Sequence, residues 1–196
     1  MKPYSAACDQ NRYAILDIIK PLLSEKKTVL EIGSGTGQHA LFFAQEMPHL
    51  IWQTSDRVEN HAGILQWLQE AKLNNTPPPI SLNVSKDKWP KINVDAIFSA
   101  NAVHIMAWES VIDLFENAGK LLPKGALFIL YGPFNYNGNY TSDSNKRFDS
   151  WLKSRDPKSG IRDFEALNKL ANEANLSFVE DFDMPENNKI LQWVKL

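Results

Sequence analysis

Thr28-Val-Leu-Glu31-Ile-Gly33-Ser-Gly35-Thr-Gly37-Gln-His39 decides how the chain is read. Its first five residues are short, apolar and partly β-branched, so Thr28 to Ile32 reads as a buried strand. Three glycines then mark a tight turn. From Gln38 to Met47 the apolar residues fall at helical spacing, until Pro48 stops the run. Strand, glycine turn and helix in that order begin an open α/β sheet, in which ligands bind outside the carboxyl ends of the strands. Closely spaced glycines let backbone approach a bound molecule, and a helix N-terminus offers it free N–H groups. The dinucleotide fingerprint G-x-G-x-x-G asks for glycine at position 38. Gln38 stands there and the third glycine comes one residue early, which counts against a nicotinamide-dependent oxidoreductase.

The alternation continues outward from this turn. Leu50 to Thr54 reads as a second strand running into Ser55 and Asp56, and Ile64, Leu65, Leu68 and Ala71 as the face of a helix. The stretch from Asn74 to Pro79 ends that helix. Ile80 to Val84 and Val94 to Ser99 read as the third and fourth strands. Val111, Leu114, Phe115, Ala118, Leu121 and Leu122 trace the stripe of a long helix, and Ala126 to Tyr131 is the fifth strand. After a polar stretch from Gly132 to Asn145, a helix is expected through Phe164, Leu167, Leu170, Ala171 and Ala174. Two closing strands, near Ser177 to Phe182 and Lys189 to Lys195, are joined by Pro185-Glu-Asn-Asn188, short enough to require an antiparallel pair. The expectation is one α/β domain over residues 1–196 with helices on both faces of the sheet. It has an N-terminal extension and helix over 1–27, a core over 28–196 and a polar insert near 132–160.

Composition removes several classes of function. The chain has 196 residues, 43% hydrophobic and 22% charged, which excludes disordered and fibrous readings. Lys plus Arg number 21 against 23 for Asp plus Glu, a net charge of -2 with no run of like charges. No electrostatic footprint for nucleic acid or an anionic membrane follows from that balance. The single Cys8 forms no internal disulfide, and no Cys/His spacing suits structural zinc, so no metal and a cytoplasmic setting are expected. The start of the chain lacks the apolar core of a signal peptide, and the apolar runs are too short to cross about 30 Å of hydrocarbon.

Glu31 two positions before Gly33, the G-x-G-x-G spacing, and Asp56 at the end of the second strand resemble motif I and its companion acid in the class I S-adenosylmethionine-dependent methyltransferases. The resemblance implies a Rossmann-like class I methyltransferase fold, a three-layer αβα sandwich. Its seven-stranded, mostly parallel sheet has an antiparallel C-terminal strand. It implies S-adenosyl-L-methionine as cofactor, with Glu31 near the cationic amino-acid end and Gly33, Ser34, Gly35 and Gly37 forming the loop against it. Asp56 would accept the ribose hydroxyls, and Asn83-Val84 would meet the adenine, where the family often has Asp. Read alone, Asp56 is also an ordinary helix N-cap, and a buried Glu31 is also a helix cap. A narrower group is similar as well, the methyltransferase-like 26 type (domain of unknown function 938). Its hallmarks stand here as Asn11-Arg12, Glu31 to His39, Ser99 to Ile105, Tyr131-Gly-Pro-Phe134, Ser144-Asn145, Phe148-Asp149, Gly160 to Asp163 and Met184 to Asn188.

Residues after the fourth and fifth strands should line the acceptor side. His104, with an ordinary pKa near 6.5, is either a base for the departing acceptor proton or a residue packed against the following helix. Asn101 is a candidate for bonding the acceptor or the cofactor. Tyr131, Asn135 and Asn145 are candidate polar groups of the pocket, and Arg12, Arg147 and Arg162 candidate clamps for an acceptor carboxylate or phosphate. The leading expectation is a methyltransferase acting on a small molecule. The alternative is a noncatalytic S-adenosylmethionine-binding or interaction protein on the same fold.

Overall fold

The computed structural model describes residues 2–196. Helix α1 (Ala6–Leu22) leads into β1 (Thr28–Ile32), α2 (Gln38–Glu46), β2 (Ile51–Asp56), α3 (His61–Ala71), β3 (Ile80–Ser81) and β4 (Ala96–Ala100). Then come α4 (Trp108–Leu121), β5 (Leu127–Gly132), β6 (Phe134–Asn135), α5 (Asp143–Arg155), β7 (Arg162–Asp163) and α6 (Phe164–Glu173). The hairpin β8 (Leu176–Met184) and β9 (Asn188–Lys195) closes the chain. Seven strands form one sheet in the order β3-β2-β1-β4-β5-β9-β8, and β6 pairs separately with β7. The last strand, β9, lies antiparallel between β5 and β8, and the β1, β2, β3, β4 and β5 pairings are parallel.

Strand alternation sorts the core into two layers. Val29, Trp52, Phe98 and Ile129 face α1, α2 and α3, where Ile15, Phe43 and Ile64 cover them. Leu30, Ile97, Phe128 and Trp193 face α4 and α6, under Phe115, Leu167 and Ala171. Each layer has an aromatic centre. Phe43, Trp52 and Phe98 meet at 5.3–5.7 Å on one side, and Phe115, Phe128 and Trp193 at 5.0–5.8 Å on the other. Such pairs contribute about 0.5–1.5 kcal/mol each beyond their burial.

Two elements differ from expectation. The third strand stops at Ser81 because Asn83 starts a turn, its N–H donating to Asp87 Oδ2 and its carbonyl accepting from Lys86. The polar insert contains helix α5, capped by Ser142, whose hydroxyl accepts from the Asn145 N–H. Among the described residues no helix is long and apolar enough to cross a membrane.

Candidate functional site

The glycine turn divides its labour. A Cβ on Gly37 would lie 3.1 Å from the Ile64 Cα, and one on Gly33 3.1 Å from the Ala102 Cβ, so these glycines allow close packing of α2, α3 and the β4–α4 loop. A Cβ on Gly35 would meet nothing within 4 Å, because its face opens on a cavity. All three have positive φ. Four N–H groups of this turn are already bonded within the protein. Gly33 and Ser34 donate to the Ser55 carbonyl, Gly37 to that of Ser34, and Gly35 to Asp56 Oδ2 at 2.7 Å. What the turn presents is bare backbone at Gly35 beside a fixed carboxylate.

Asp56 ends β2 and is 8% exposed. Its Oδ1 accepts from the Arg57 N–H at 2.7 Å and Asn60 Nδ2 at 2.8 Å. Both oxygens are thus oriented, and spare lone pairs remain on the carboxylate for a ligand. Leu82, Asn83 and Val84 continue the same wall, with Asn83 Oδ1 accepting from the Ser85 N–H.

The cavity measures about 1050 Å³ and runs from this wall to α5. At its far half stand Asn101, His104, Tyr131, Asn145, Phe148 and Trp151. Asn101 takes a left-handed backbone at φ +55°, held by its N–H on the Tyr131 carbonyl at 2.8 Å. Asn tolerates that conformation better than most residues. His104 is 4% exposed, and its Nδ1 is buried without a partner. Burial, helped by the positive charge of Arg162, pushes its pKa down to about 4, so the imidazole is neutral at physiological pH. Its carbonyl accepts from the Gly160 N–H at 2.8 Å, and Arg162 donates to the carbonyls of Val103, Met106 and Lys158. The segment before α6 therefore clamps the loop that carries His104.

Several other predicted residues lie elsewhere. Glu31, Gly37, Arg12 and Asn135 do not line the cavity. Glu31 points into the α1–α3 layer, where burial pushes its pKa up to about 7 and leaves Oε2 unpartnered. Arg12 pairs with Asp9 at 3.0 Å and lies over the Phe42 ring, which removes it from the acceptor side. Asn135 is held in the β6–β7 pair. Gly33, Ser34, Gly35, Asp56, Asn83, Val84, Asn101, His104, Tyr131 and Asn145 do come together around the cavity. Asn145 also braces it, donating to Thr141 Oγ1 and to the Asn187 carbonyl.

The sequence reading passed over a second polar group in the wall. His39 stacks on Phe43 and its Nε2 lies 2.7 Å from Asn11 Oδ1. The amide oxygen only accepts, so Nε2 carries the proton and Nδ1 faces Cys8 Sγ at 3.8 Å. Burial pushes the His39 pKa down to about 4. Burial pushes the Tyr131 phenol's pKa up, and the neighbouring Asn11 side chain opposes that push. Asn11 and His39 belong to the quoted hallmarks, and that was the only sequence signal for them.

A family model described as "Protein of unknown function (DUF938)" matches residues 2–195. Among solved structures, the S-adenosylmethionine-dependent methyltransferase SibL matches at a TM-score of 0.82 and 18% identity, over 97% of this chain and 56% of its own. An O-methyltransferase family 2 protein from Planctomyces limnophilus, in complex with apigenin, matches at 0.77 and 15%, over 87% and 51%. PigF with SAH matches at 0.76 and 13%, over 94% and 58%. At these identities the likeness shows the fold, the Rossmann-like fold of class I methyltransferases. The chain spans a little over half the length of these structures.

Proposed function

The chain belongs to the family described as protein of unknown function (DUF938), and from that premise we propose an S-adenosylmethionine-dependent methyltransferase acting on a small-molecule acceptor, of the methyltransferase-like 26 type. The observation that carries the reading is the pairing of Gly35 with Asp56. An open, side-chain-free face lies against a carboxylate whose two oxygens are fixed by Gly35, Arg57 and Asn60. That pair fits an adenosyl group. Asp56 would accept the two ribose hydroxyls, Gly35 would leave room for the ribose and the chain beyond it, and Leu82 and Val84 would cover the adenine faces. Asn83 retains a lone pair on Oδ1 for the exocyclic amine.

S-adenosylmethionine, when bound, supplies a methyl group on a cationic sulfur. The chain's own task is then to orient the acceptor and take its proton. His104, neutral at physiological pH with Nδ1 unpartnered in the cavity wall, would accept the acceptor's hydrogen bond and take its proton as the methyl arrives. Its lowered pKa makes it a weak base before then. Asn101 and Tyr131 stand beside it to align the acceptor. The reading takes residues 1–196 as one methyltransferase domain with its core over 28–196, and a small acceptor in place of nucleic acid or membrane. The free thiol of Cys8 supports a cytoplasmic setting.

Thermal shift tests the reading. S-adenosylhomocysteine at a hundredfold excess over Kd should stabilise the fold by about 2.7 kcal/mol and raise Tm, while NAD should leave it unchanged. A shift with NAD and none with the adenosyl ligands would overturn it.

A further inference from the structure

The cavity exceeds what one drug-sized ligand fills, typically about 300–1,000 Å³, and its far half has a distinct chemistry. We propose that this half binds a neutral, planar aromatic compound bearing a hydroxyl group, laid against Phe148 and Trp151 with its hydroxyl on His104 and Asn101. The proposal rests on the methyltransferase reading and names its acceptor class.

Three observations support it. The first is the wall. Phe148 and Trp151 stack at 5.8 Å with an interplanar angle of 17°, and Phe148 meets the His104 ring edge-on at 5.3 Å. Trp151 is 50% exposed and Ile105 57%, so the cavity's rim carries apolar surface that a flat apolar ligand would cover. The wall is also preformed. Asp149, 2% exposed, accepts from Tyr140, Lys153 and the Ile161 N–H at 2.6–2.7 Å and fixes α5 in place.

The second is the polar edge. His104 Nδ1 is a buried atom whose hydrogen bond is unmade, and such atoms are few in native structures. A Cβ on Gly132 would lie 3.6 Å from Nδ1 and 3.7 Å from Asn101 Oδ1, so the two atoms are neighbours over that glycine, and both residues line the cavity. A hydroxyl that reaches this pair from the cavity would donate to one of them.

The third is charge. Among the described residues Arg57 is the one Lys or Arg lining the cavity, and it sits beside Asp56, paired with Glu59 at 3.4 Å. The charged residue of the far half is Glu186. Arg162 is turned onto backbone carbonyls, and Arg155 packs on Trp151 without lining the cavity. An acceptor carboxylate or phosphate would therefore be desolvated without a counter-charge, at a cost that the cavity does not offset. Arg12, Arg147 and Arg162 do not line the cavity, which goes against the expectation that one of them clamps an anion.

Calorimetric titration of the protein with 2-naphthol, 6-hydroxy-2-naphthoate and 2-methoxynaphthalene tests the proposal, with S-adenosylhomocysteine titrated separately. 2-Naphthol should bind at least tenfold more tightly than the carboxylate and at least fivefold more tightly than the methyl ether. Trp151→Ala should weaken 2-naphthol at least fivefold, its folding checked by Tm. Ile105→Lys, at an exposed position, should supply the missing cation and tighten the carboxylate at least tenfold. The proposal is overturned if the carboxylate binds as tightly as 2-naphthol, or if the protein binds S-adenosylhomocysteine but none of the three probes. If the probes rank as stated while S-adenosylhomocysteine does not bind, the site stands and the methyltransferase reading fails.

Discussion

Gly35 and Gly37 are two residues apart and differ in what a side chain would meet. Gly37→Ala puts a methyl 3.1 Å from the Ile64 backbone at φ +89°, so it should destabilise the fold by about 1–3 kcal/mol, read as a lowered urea midpoint. Gly35→Ala meets open space and should cost only about 1 kcal/mol of conformational strain. It should nonetheless weaken S-adenosylhomocysteine at least tenfold, since its methyl occupies the cavity. Equal stability loss in the two variants would contradict this division. Three buried titratable groups set a second prediction at this scale. His39 and His104 titrate near 4 when folded against 6.5 unfolded, so the unfolded chain binds more protons between those values and stability falls as pH falls. Glu31, near 7 folded against 4.5 unfolded, acts in the opposite sense, its contribution complete below 4.5 and lost as pH rises through 7. Where all three windows overlap, the wild type should lose roughly 1.4 kcal/mol per pH unit on acidification, and Glu31→Gln about twice that. Urea denaturation at pH 5 and pH 6 measures both slopes, and identical slopes would refute the assignment.

At the scale of elements, α5 and the segment from Asp156 to Asp163 act together on the loop after β4. Asp149 joins α5 to Ile161, Gly160 bonds the His104 carbonyl, and Arg162 holds Val103 and Met106. Asp149→Ala leaves the Ile161 N–H without its buried acceptor, at about 1–3 kcal/mol. Faster amide exchange should then spread through residues 156–163 and reach His104, whereas exchange confined to α5 would mean that the two are not linked. This helix was hidden from hydrophobic periodicity because the positions it buries include Asn145 and Asp149 beside Leu152. The signal it did offer was local chemistry: Ser142 capping its start, with Lys153 and Arg155 in its last turn. β3 was overextended for the converse reason. Leu82 and Val84 are buried and look like strand residues, yet they line the cavity from a turn that Asn83 and Asp87 organise.

At the scale of the molecule, periodicity and turn chemistry were enough to read the sheet, because most of its strands and helices have apolar faces set by near neighbours in sequence. The closing hairpin followed from its short link in the same way. The Asp56 side of the site was legible for a related reason, since open α/β sheets gather it from residues just after β1 and β2. The far side was legible only in part. It depends on contacts such as Asn11 with His39 and Arg162 with Val103, which join distant parts of the chain and leave no spacing to read. Burial also hid the fate of Glu31 and Arg12, whose charges suggested a ligand but which the fold turned toward its α1–α3 layer and surface. The central claim is that the Gly35 and Asp56 wall holds the adenosyl group, and a crystal structure of the S-adenosylhomocysteine complex tests it most directly. The ribose hydroxyls should lie within hydrogen-bond distance of the Asp56 carboxylate, with Gly35 against the ligand and the far half of the cavity still open. Density for the ligand away from Asp56, or none at saturating concentration, would contradict the account.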